Sequence, residues 1–114
     1  MPIEELPVSM RTFTGQMILY GKITIPKEIR RLTGIKPGDT VNLVIVSVAR
    51  EDGQPRRIEH IPAKQRTFSR TVPKDMRITI PSKIRALLGI HEGDYVTMTI
   101  NHVIRGDSGA VQKV

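Results

Sequence analysis

The sequence contains no cysteine and no tryptophan, and its aromatic residues are two tyrosines and two phenylalanines. The lack of cysteine excludes disulfide bonds and thiolate metal sites. Few aromatic rings also disfavour single-stranded nucleic acid as a ligand, because such ligands usually stack their bases on aromatic side chains. Among nucleic acids, the sequence therefore favours a duplex over RNA or single strands.

Long apolar runs are also missing. The longest, "VNLVIVSVA", is too short to span a bilayer. The first ten residues, "MPIEELPVSM", carry two glutamates and no cation, unlike a signal or transit peptide. We therefore predict a cytoplasmic protein with no membrane partner.

Recognisable catalytic and metal-binding patterns are absent. The three histidines show no ligand spacing, and no serine, threonine or lysine lies in a motif with a histidine base. No Gly-x-x-x-x-Gly-Lys phosphate loop occurs. The prediction is a protein that is not an enzyme and needs neither a metal nor a cofactor.

Positive charge is present in excess and is unevenly distributed. The net charge is +7, and the thirty residues 56–85 hold nine Lys and Arg against two acidic residues. A field of this strength attracts polyanions, and nucleic acid is the leading candidate. The alternative is a solvated basic surface without a specific ligand.

The chain repeats itself at a constant spacing of 55 residues. When residues 11–52 are aligned without gaps to residues 66–107, 19 of the 42 positions are identical. Chance would give about two or three identities, so the sequence indicates a duplication. The most similar stretches are "KITIPKEIRRLTGIKPGDTV" (22–41) and "RITIPSKIRALLGIHEGDYV" (77–96).

Each copy predicts the same short series of elements. Two strands flank a hairpin-like turn, a helix runs from about Pro26 to Thr33, and Gly34 provides its left-handed exit. A Gly-Asp turn then leads into a strand that begins at Thr40, or at Tyr95 in the second copy, and we read the turn aspartates as structural. Last strands are predicted at about 54–60 and 110–114.

The fold prediction is a mainly β protein with short helices (α+β). Two ββαβ(β) units of this size cannot each close a sheet, but together they could form a small β-barrel without exposed edges. We assign residues 1–10 to an N-terminal extension, 11–60 to repeat 1, 61–65 to a linker and 66–114 to repeat 2.

The strand that begins at Thr40 looks apolar on both faces. Val41, Leu43 and Ile45 form its predicted inward row. The outward row is Val44, Val46 and Val48, where the second copy has Thr99, Asn101 and Val103. An exposed apolar patch is unusual for a monomer. We therefore expect either a second chain, giving a homo-oligomer through the Val44/Val46 face, or the apolar N-terminal segment to cover it.

The stretch "GKITIPKEIRRLTGIKPGDTV" strongly resembles the AbrB-like (SpoVT-AbrB) DNA-binding domain, and "MRITIPSKIRALLGIHEGDYV" matches nearly as well, with Met76 in place of the glycine. The resemblance implies a swapped-hairpin barrel in which two units interleave. Such domains usually pair between chains, so the tandem copies imply an intramolecular pseudo-dimer. The Gly-Asp turn is also shared with cradle-loop barrels of the RIFT type, which include enzymes and protein-binding modules.

The resemblance implies a transcriptional regulator that binds duplex DNA, with contacts from cations near the hairpin and early in the helix. In the second copy, Ala86 replaces one expected helix cation. The first strand of the first copy, "GQMILY", has no cation, so we expect the second copy to dominate. Arg11 and Arg66, which open the copies, fit a structural role equally well. The candidate DNA-binding residues are Lys22, Arg30, Arg31, Arg70, Lys74, Arg77 and Arg85.

A second function class stays open at this point. The chain could be a protein-interaction module, such as an antitoxin-like binder or a RIFT-type adaptor, whose basic face meets an acidic protein or a nucleotide. Charge from both copies on one face of the fold would favour DNA over this alternative. We also take the repeated arginines as a sign that duplex DNA meets both halves.

Overall fold

The structure is a computed structural model that describes residues 3–106 and 111–112. The described residues form eight strands and two α-helices, with short 3₁₀ turns between them. The strands are β1 (Thr12–Gln16), β2 (Lys22–Thr24), β3 (Thr40–Ala49), β4 (Pro55–Arg56), β5 (Thr67–Thr71), β6 (Arg77–Thr79), β7 (Tyr95–Ile104) and β8 (Val111–Gln112). The helices are α1 (Lys27–Thr33) and α2 (Ser82–Leu88).

All strand pairs are antiparallel, and they form two sheets. In the six-stranded sheet, β3 and β7 pair along their length, β1 pairs with β7 and β5 pairs with β3. The short strand β4 pairs with β3, and the short strand β8 pairs with β7. In the second sheet, β2 pairs with β6. The protein is thus mainly β, while the strand pairings among the described residues do not show a closed barrel, which stays a prediction.

The main elements recur at the spacing of the sequence repeat. The bounds of β1 and β5, of β2 and β6, of α1 and α2, and of β3 and β7 all differ by 55 residues. The first strand of each copy pairs with the long strand of the other copy. Neither copy therefore completes its own sheet, which agrees with the expectation that units of this size need each other.

The helices begin one residue later than predicted. Pro26 has φ −62° and ψ 148°, so it is extended and precedes the helix, although its carbonyl accepts the first helical hydrogen bond, from Arg30. The residue is therefore the N-cap, and Lys27 is the first helical position. Gly34 ends the helix at φ 72°, which confirms the predicted left-handed exit.

A β-bulge interrupts the predicted alternation of buried and exposed residues along β3. Val41, Leu43 and Ile45 are fully buried, as expected. The register with β7 then shifts between Ile45 and Ser47, so one residue is unpaired and the facing of later residues reverses. Val48 is consequently buried, and its assignment to the outward row was wrong.

The N-terminal segment does not cover the exposed part of β3. Its first turn, Ile3–Glu5, packs on β7, and the Ile3 side chain is part of the core. Val46 remains 43% exposed. The expectation that this segment covers Val46 was therefore wrong, and a second chain at that face stays a prediction.

The last strand of the first copy is shorter than predicted. Only Pro55–Arg56 is a strand, because the chain then turns so that Ile58 and Ile61 enter the core. The hydrogen bond from Ile61 N–H to the Ile58 carbonyl has an equivalent, 55 residues earlier, from Leu6 to Ile3. In the second copy the strand is Val111–Gln112, and the rest of the predicted range, 110 and 113–114, lies outside the described residues.

None of the helices formed by the described residues is both long enough and apolar enough to cross a membrane.

Candidate nucleic-acid interface

The two-stranded sheet of β2 and β6, which we call the ribbon, brings cations of both copies onto one face. Ile23 lies opposite Ile78 in its centre, and both side chains are buried. Because successive side chains of a strand point to opposite faces, the flanking residues point away from the core. These outward residues are Lys22, Thr24, Arg77 and Thr79. We call this outward surface the ribbon face.

Two further arginines are held beside the ribbon by hydrogen bonds to β6 and its end. Arg70 Nε donates to the Thr79 carbonyl oxygen at 2.8 Å, and Arg85 Nε donates to the Ile80 carbonyl oxygen at 3.0 Å. Within the described part of the chain, the remaining guanidinium N–H groups of both arginines make no other hydrogen bond and no ion pair. Both guanidinium groups are thus fixed in position with donors left over.

Gly21 makes room for the Arg85 guanidinium. A Cβ atom at Gly21 would lie 2.6 Å from Arg85 Nε, and the residue has φ 76°. In the second copy the equivalent position is Met76, which has φ 62° and is buried. A side chain at position 21 would therefore displace the Arg85 guanidinium.

The opposite ends of the ribbon differ chemically. The loop before β2 exposes Leu19 and Tyr20, and Tyr20 has φ 64°. The equivalent loop before β6 exposes Lys74 and Asp75, and the Asp75 carboxylate accepts a hydrogen bond from the Arg77 N–H. One end of the ribbon face is therefore apolar and the other is charged.

The two α1 candidates are placed differently from the ribbon cations. Arg31 is exposed and pairs with Glu28, with 2.6 Å between Nη2 and Oε1. This hydrogen bond lowers the pKa of Glu28 and raises that of Arg31. Arg30 is half-buried, and its Nε has no hydrogen-bond partner among the described residues. The structure therefore brings together Lys22, Arg70, Arg77 and Arg85, with Lys74 in the adjoining loop.

An open groove of about 550 Å³ lies beside the ribbon and carries both signs of charge. Lys22 and Arg77 line it together with the apolar loop residues Leu19 and Tyr20. Acidic residues also line it, namely Glu51 and Glu92. An anionic ligand would therefore be drawn to the cations and repelled by these carboxylates.

Arg11 and Arg66 take the structural role. A second register shift between β3 and β7, between Asn42 and Leu43, leaves Asn101 of β7 unpaired. Each arginine donates to the carbonyl just before an unpaired residue, Arg11 to Ile100 at 2.9 Å and Arg66 to Ile45. Each also donates through Nε to a carbonyl five residues earlier, that of Leu6 or Ile61. Since a bulge interrupts the ladder, these side chains satisfy backbone groups that strand pairing leaves free. The identical "RTF" openings of the two copies were the only sequence signal of this role.

Two more arginines are bound to the turn aspartates, a pairing that sequence reasoning missed. Arg105 Nη1 lies 3.0 Å from the Asp39 carboxylate, and Arg56 Nε lies 2.8 Å from that of Asp94. Burial alone would raise the pKa of both aspartates. Hydrogen bonds from backbone N–H groups and from the arginines outweigh burial, so both pKa values lie below the ordinary range. The predicted structural role of the aspartates is confirmed, and Arg56 and Arg105 contribute little free charge.

The described residues contain no group of three His, Asp or Glu side chains arranged to hold a metal ion.

Comparison with known proteins agrees with part of the resemblance. Residues 21–54 match the family described as "Antidote-toxin recognition MazE, bacterial antitoxin". The matched segment runs from Gly21 through α1 and β3 to the residue before β4. The match supports an AbrB/MazE-type unit in the first copy, and the same assignment for the second copy stays a prediction.

A solved structure is similar to this chain over most of its length. The solution structure of PHS018 from Pyrococcus horikoshii is similar with a TM-score of 0.62 and 26% sequence identity, over 83% of this chain and 91% of that chain. No curated protein matches the chain significantly.

Proposed function

We propose that the chain is a transcriptional regulator that binds duplex DNA through the ribbon face. One observation carries the proposal: Lys22 and Arg77, from different copies, share this face, and Arg70 and Arg85 flank it. None of these four cations forms an ion pair with a carboxylate within the described residues. Unpaired cations from both copies on one face suit a ligand that spans both copies.

The ribbon geometry is compatible with a duplex. The major groove of B-DNA admits a two-stranded β-ribbon, and outward cations can neutralise phosphates on either side of it. The two held guanidinium groups can each present two donors to a phosphate or to a guanine edge. We extend the AbrB-like assignment to the second copy, so that the chain acts as a pseudo-dimer in a swapped-hairpin barrel. The proposal includes action in the cytoplasm, with no catalytic step and no cofactor.

The test is the salt dependence of DNA affinity. Fluorescence anisotropy on a mixed-sequence duplex should give a linear fall of log K against log salt, with a slope of about −0.9 per phosphate neutralised. Replacing Lys22 or Arg77 by alanine should weaken binding and flatten the slope by about one each. The matched control is Lys64→Ala, because Lys64 is an exposed cation that lies outside the ribbon, on the 3₁₀ turn Ala63–Arg66.

Two results would reject the DNA proposal. The first is no binding at about 50 mM salt, where electrostatic attraction to phosphates is strong. The second is an equal loss of affinity in the control and in the ribbon variants, since binding would then follow net charge rather than the ribbon face.

The second candidate function is antitoxin-like binding of a protein. The match of residues 21–54 to a family described by antidote–toxin recognition favours it, as does the groove that mixes Lys22 and Arg77 with acidic residues. An antitoxin must restore growth to cells that express its toxin. Growth rescue by the chain, lost in Arg77→Ala and kept in Lys64→Ala, would support this function.

We also propose that a second chain covers the Val44/Val46 face. Val46 is exposed at the bulge, and Val44 is half-buried between β5 and β7. Val46→Thr should then lower the mass measured by light scattering. An unchanged mass would remove this part of the proposal.

A further inference from the structure

The loop before β2 carries the most exposed apolar side chains near the ribbon face. Leu19 is 58% exposed and Tyr20 is 79% exposed. Tyr20 also has φ 64°, a left-handed conformation that is uncommon for residues other than glycine, asparagine and aspartate. We call Leu19 and Tyr20 the apolar tip. Two large apolar side chains exposed together at one loop end indicate an interaction site.

The apolar tip and the cations face the same space. Leu19 and Tyr20 line the groove that Lys22 and Arg77 also line. A ligand that contacts both the cations and the apolar tip would offer negative charge and, close to it, a flat apolar surface. The edge of a duplex has this combination, because phosphates run along a stack of base pairs.

We propose that the apolar tip is a wedge that inserts between neighbouring base pairs and bends the DNA. This inference rests on the proposed DNA binding and adds how the duplex is held. Apolar side chains inserted between base steps unstack and kink a duplex in several architectural proteins, and pyrimidine–purine steps open most easily. The tip therefore favours sites with a TA or CA step at a fixed distance from the phosphates bound by Lys22 and Arg77.

Because the other end of the ribbon is charged, the two ends of the complex with DNA differ. The equivalent loop of the second copy presents Lys74 and Asp75, which do not fit between base pairs. Insertion therefore takes place at one end only, although the backbone of the ribbon is repeated. The bend is asymmetric, and the protein binds in one orientation at a given step.

The acidic residues of the groove favour the same placement. Glu51 and Glu92 repel phosphates, so the phosphates of a bound duplex contact Lys22 and Arg77 instead. The apolar tip then meets the base stack rather than the phosphate chain.

The experiment measures unstacking directly. A 30-base-pair duplex carries 2-aminopurine beside a central TA step, and its fluorescence rises when the base loses its neighbour. The wild-type chain should raise the fluorescence several-fold. The variant Leu19→Ser/Tyr20→Asn should abolish the rise and weaken binding several-fold, while the salt slope stays unchanged because no cation is removed. Asparagine tolerates the left-handed conformation, so it keeps the loop geometry.

Controls separate the wedge from other effects. Leu87→Ser removes an exposed leucine from α2, which lines a different groove, and should change neither signal. Tyr20→Gly keeps the positive φ without a side chain, so the protein should stay folded, with an unchanged melting temperature, and lose most of the fluorescence rise.

The outcomes distinguish this inference from the proposed function. Tight, salt-dependent binding without a fluorescence rise would overturn the wedge and leave DNA binding in place. No binding at low salt would remove both. Loss of a dimer in the Leu19→Ser/Tyr20→Asn variant, with unstacking retained, would assign the apolar tip to a second copy of the chain and also overturn the wedge.

Discussion

Replacing Gly21 by alanine tests whether the Arg85 guanidinium is held where the structure places it. The new Cβ atom would lie 2.6 Å from Arg85 Nε and 2.7 Å from its Cζ, so the guanidinium must move. The left-handed backbone costs an alanine about 1–2 kcal/mol, and the stiffer unfolded chain returns about 0.4–1 kcal/mol. Loss of the charged hydrogen bond to the Ile80 carbonyl adds about 1.5–3 kcal/mol. We expect the free energy of unfolding to fall by about 1.5–4.5 kcal/mol in total.

Gly89 provides the matched control for this prediction. Its φ is 67°, close to that of Gly21, and a Cβ atom there meets nothing within 4 Å. Gly89→Ala should therefore cost only the backbone difference, about 1 kcal/mol. Urea denaturation gives both values, and DNA affinity should fall in Gly21→Ala alone. Equal losses of stability in the two variants, within about 0.5 kcal/mol, would refute the placement of Arg85.

Three further predictions concern residues that hold the fold. Asp39→Ala should lower the free energy of unfolding by about 2–4 kcal/mol, because Arg105 and the backbone N–H groups of Lys36 and Gly106 lose the buried carboxylate that accepts their hydrogen bonds; a loss under about 1 kcal/mol would contradict the pairing. Acid should destabilise the protein, because Asp39 and Asp94 have lower pKa values in the folded chain than in the unfolded chain. Their ionised carboxylates contribute their full stabilisation above the unfolded pKa of about 4, and this stabilisation is lost as the pH falls through the folded pKa values. The melting temperature should therefore decrease as the pH is lowered below about 4, and it should decrease less steeply in Asp39→Ala. Arg66→Ala should cost about 2–3 kcal/mol, because the Ile45 carbonyl at the bulge loses a charged donor, whereas Lys64→Ala should cost under about 0.5 kcal/mol; similar melting curves would argue against the bulge role.

The sequence predicted local elements well because their signals are local. A proline before an Ile-x-x-Leu spacing indicates a helix, and a glycine after it indicates the exit. The reversal at Val46 could not be predicted, because a bulge arises from the register between β3 and β7, which no single strand contains. The same limit applied to Arg56 and Arg105, whose aspartate partners lie 38 and 66 residues away along the chain.

For the candidate site, sequence reasoning chose residues by charge and motif position. The structure brings Lys22, Arg70, Arg77 and Arg85 to one region, because the ribbon joins the equivalent strands of both copies. The sequence could not separate these four from Arg31, whose charge is shared with Glu28 on the same helix. Tertiary contacts determine which cations lack a carboxylate partner. The net charge of +7 therefore says little about where an anion would bind.

The two copies show how a structural arginine differs from a charged contact. Arg11 and Arg66 are identical between copies, and each donates through two different nitrogens to two carbonyls. Only a guanidinium has that forked geometry, so the position does not tolerate lysine. Lys22 and Arg77 occupy equivalent positions on the ribbon face but differ in side chain, which the proposed DNA binding would allow because a phosphate contact needs only a positive charge. The identical Arg11 and Arg66 thus have a role in the fold, whereas the repeated pair Arg30 and Arg85 does not share one, because the Arg85 Nε donates to a carbonyl and the Arg30 Nε has no partner among the described residues.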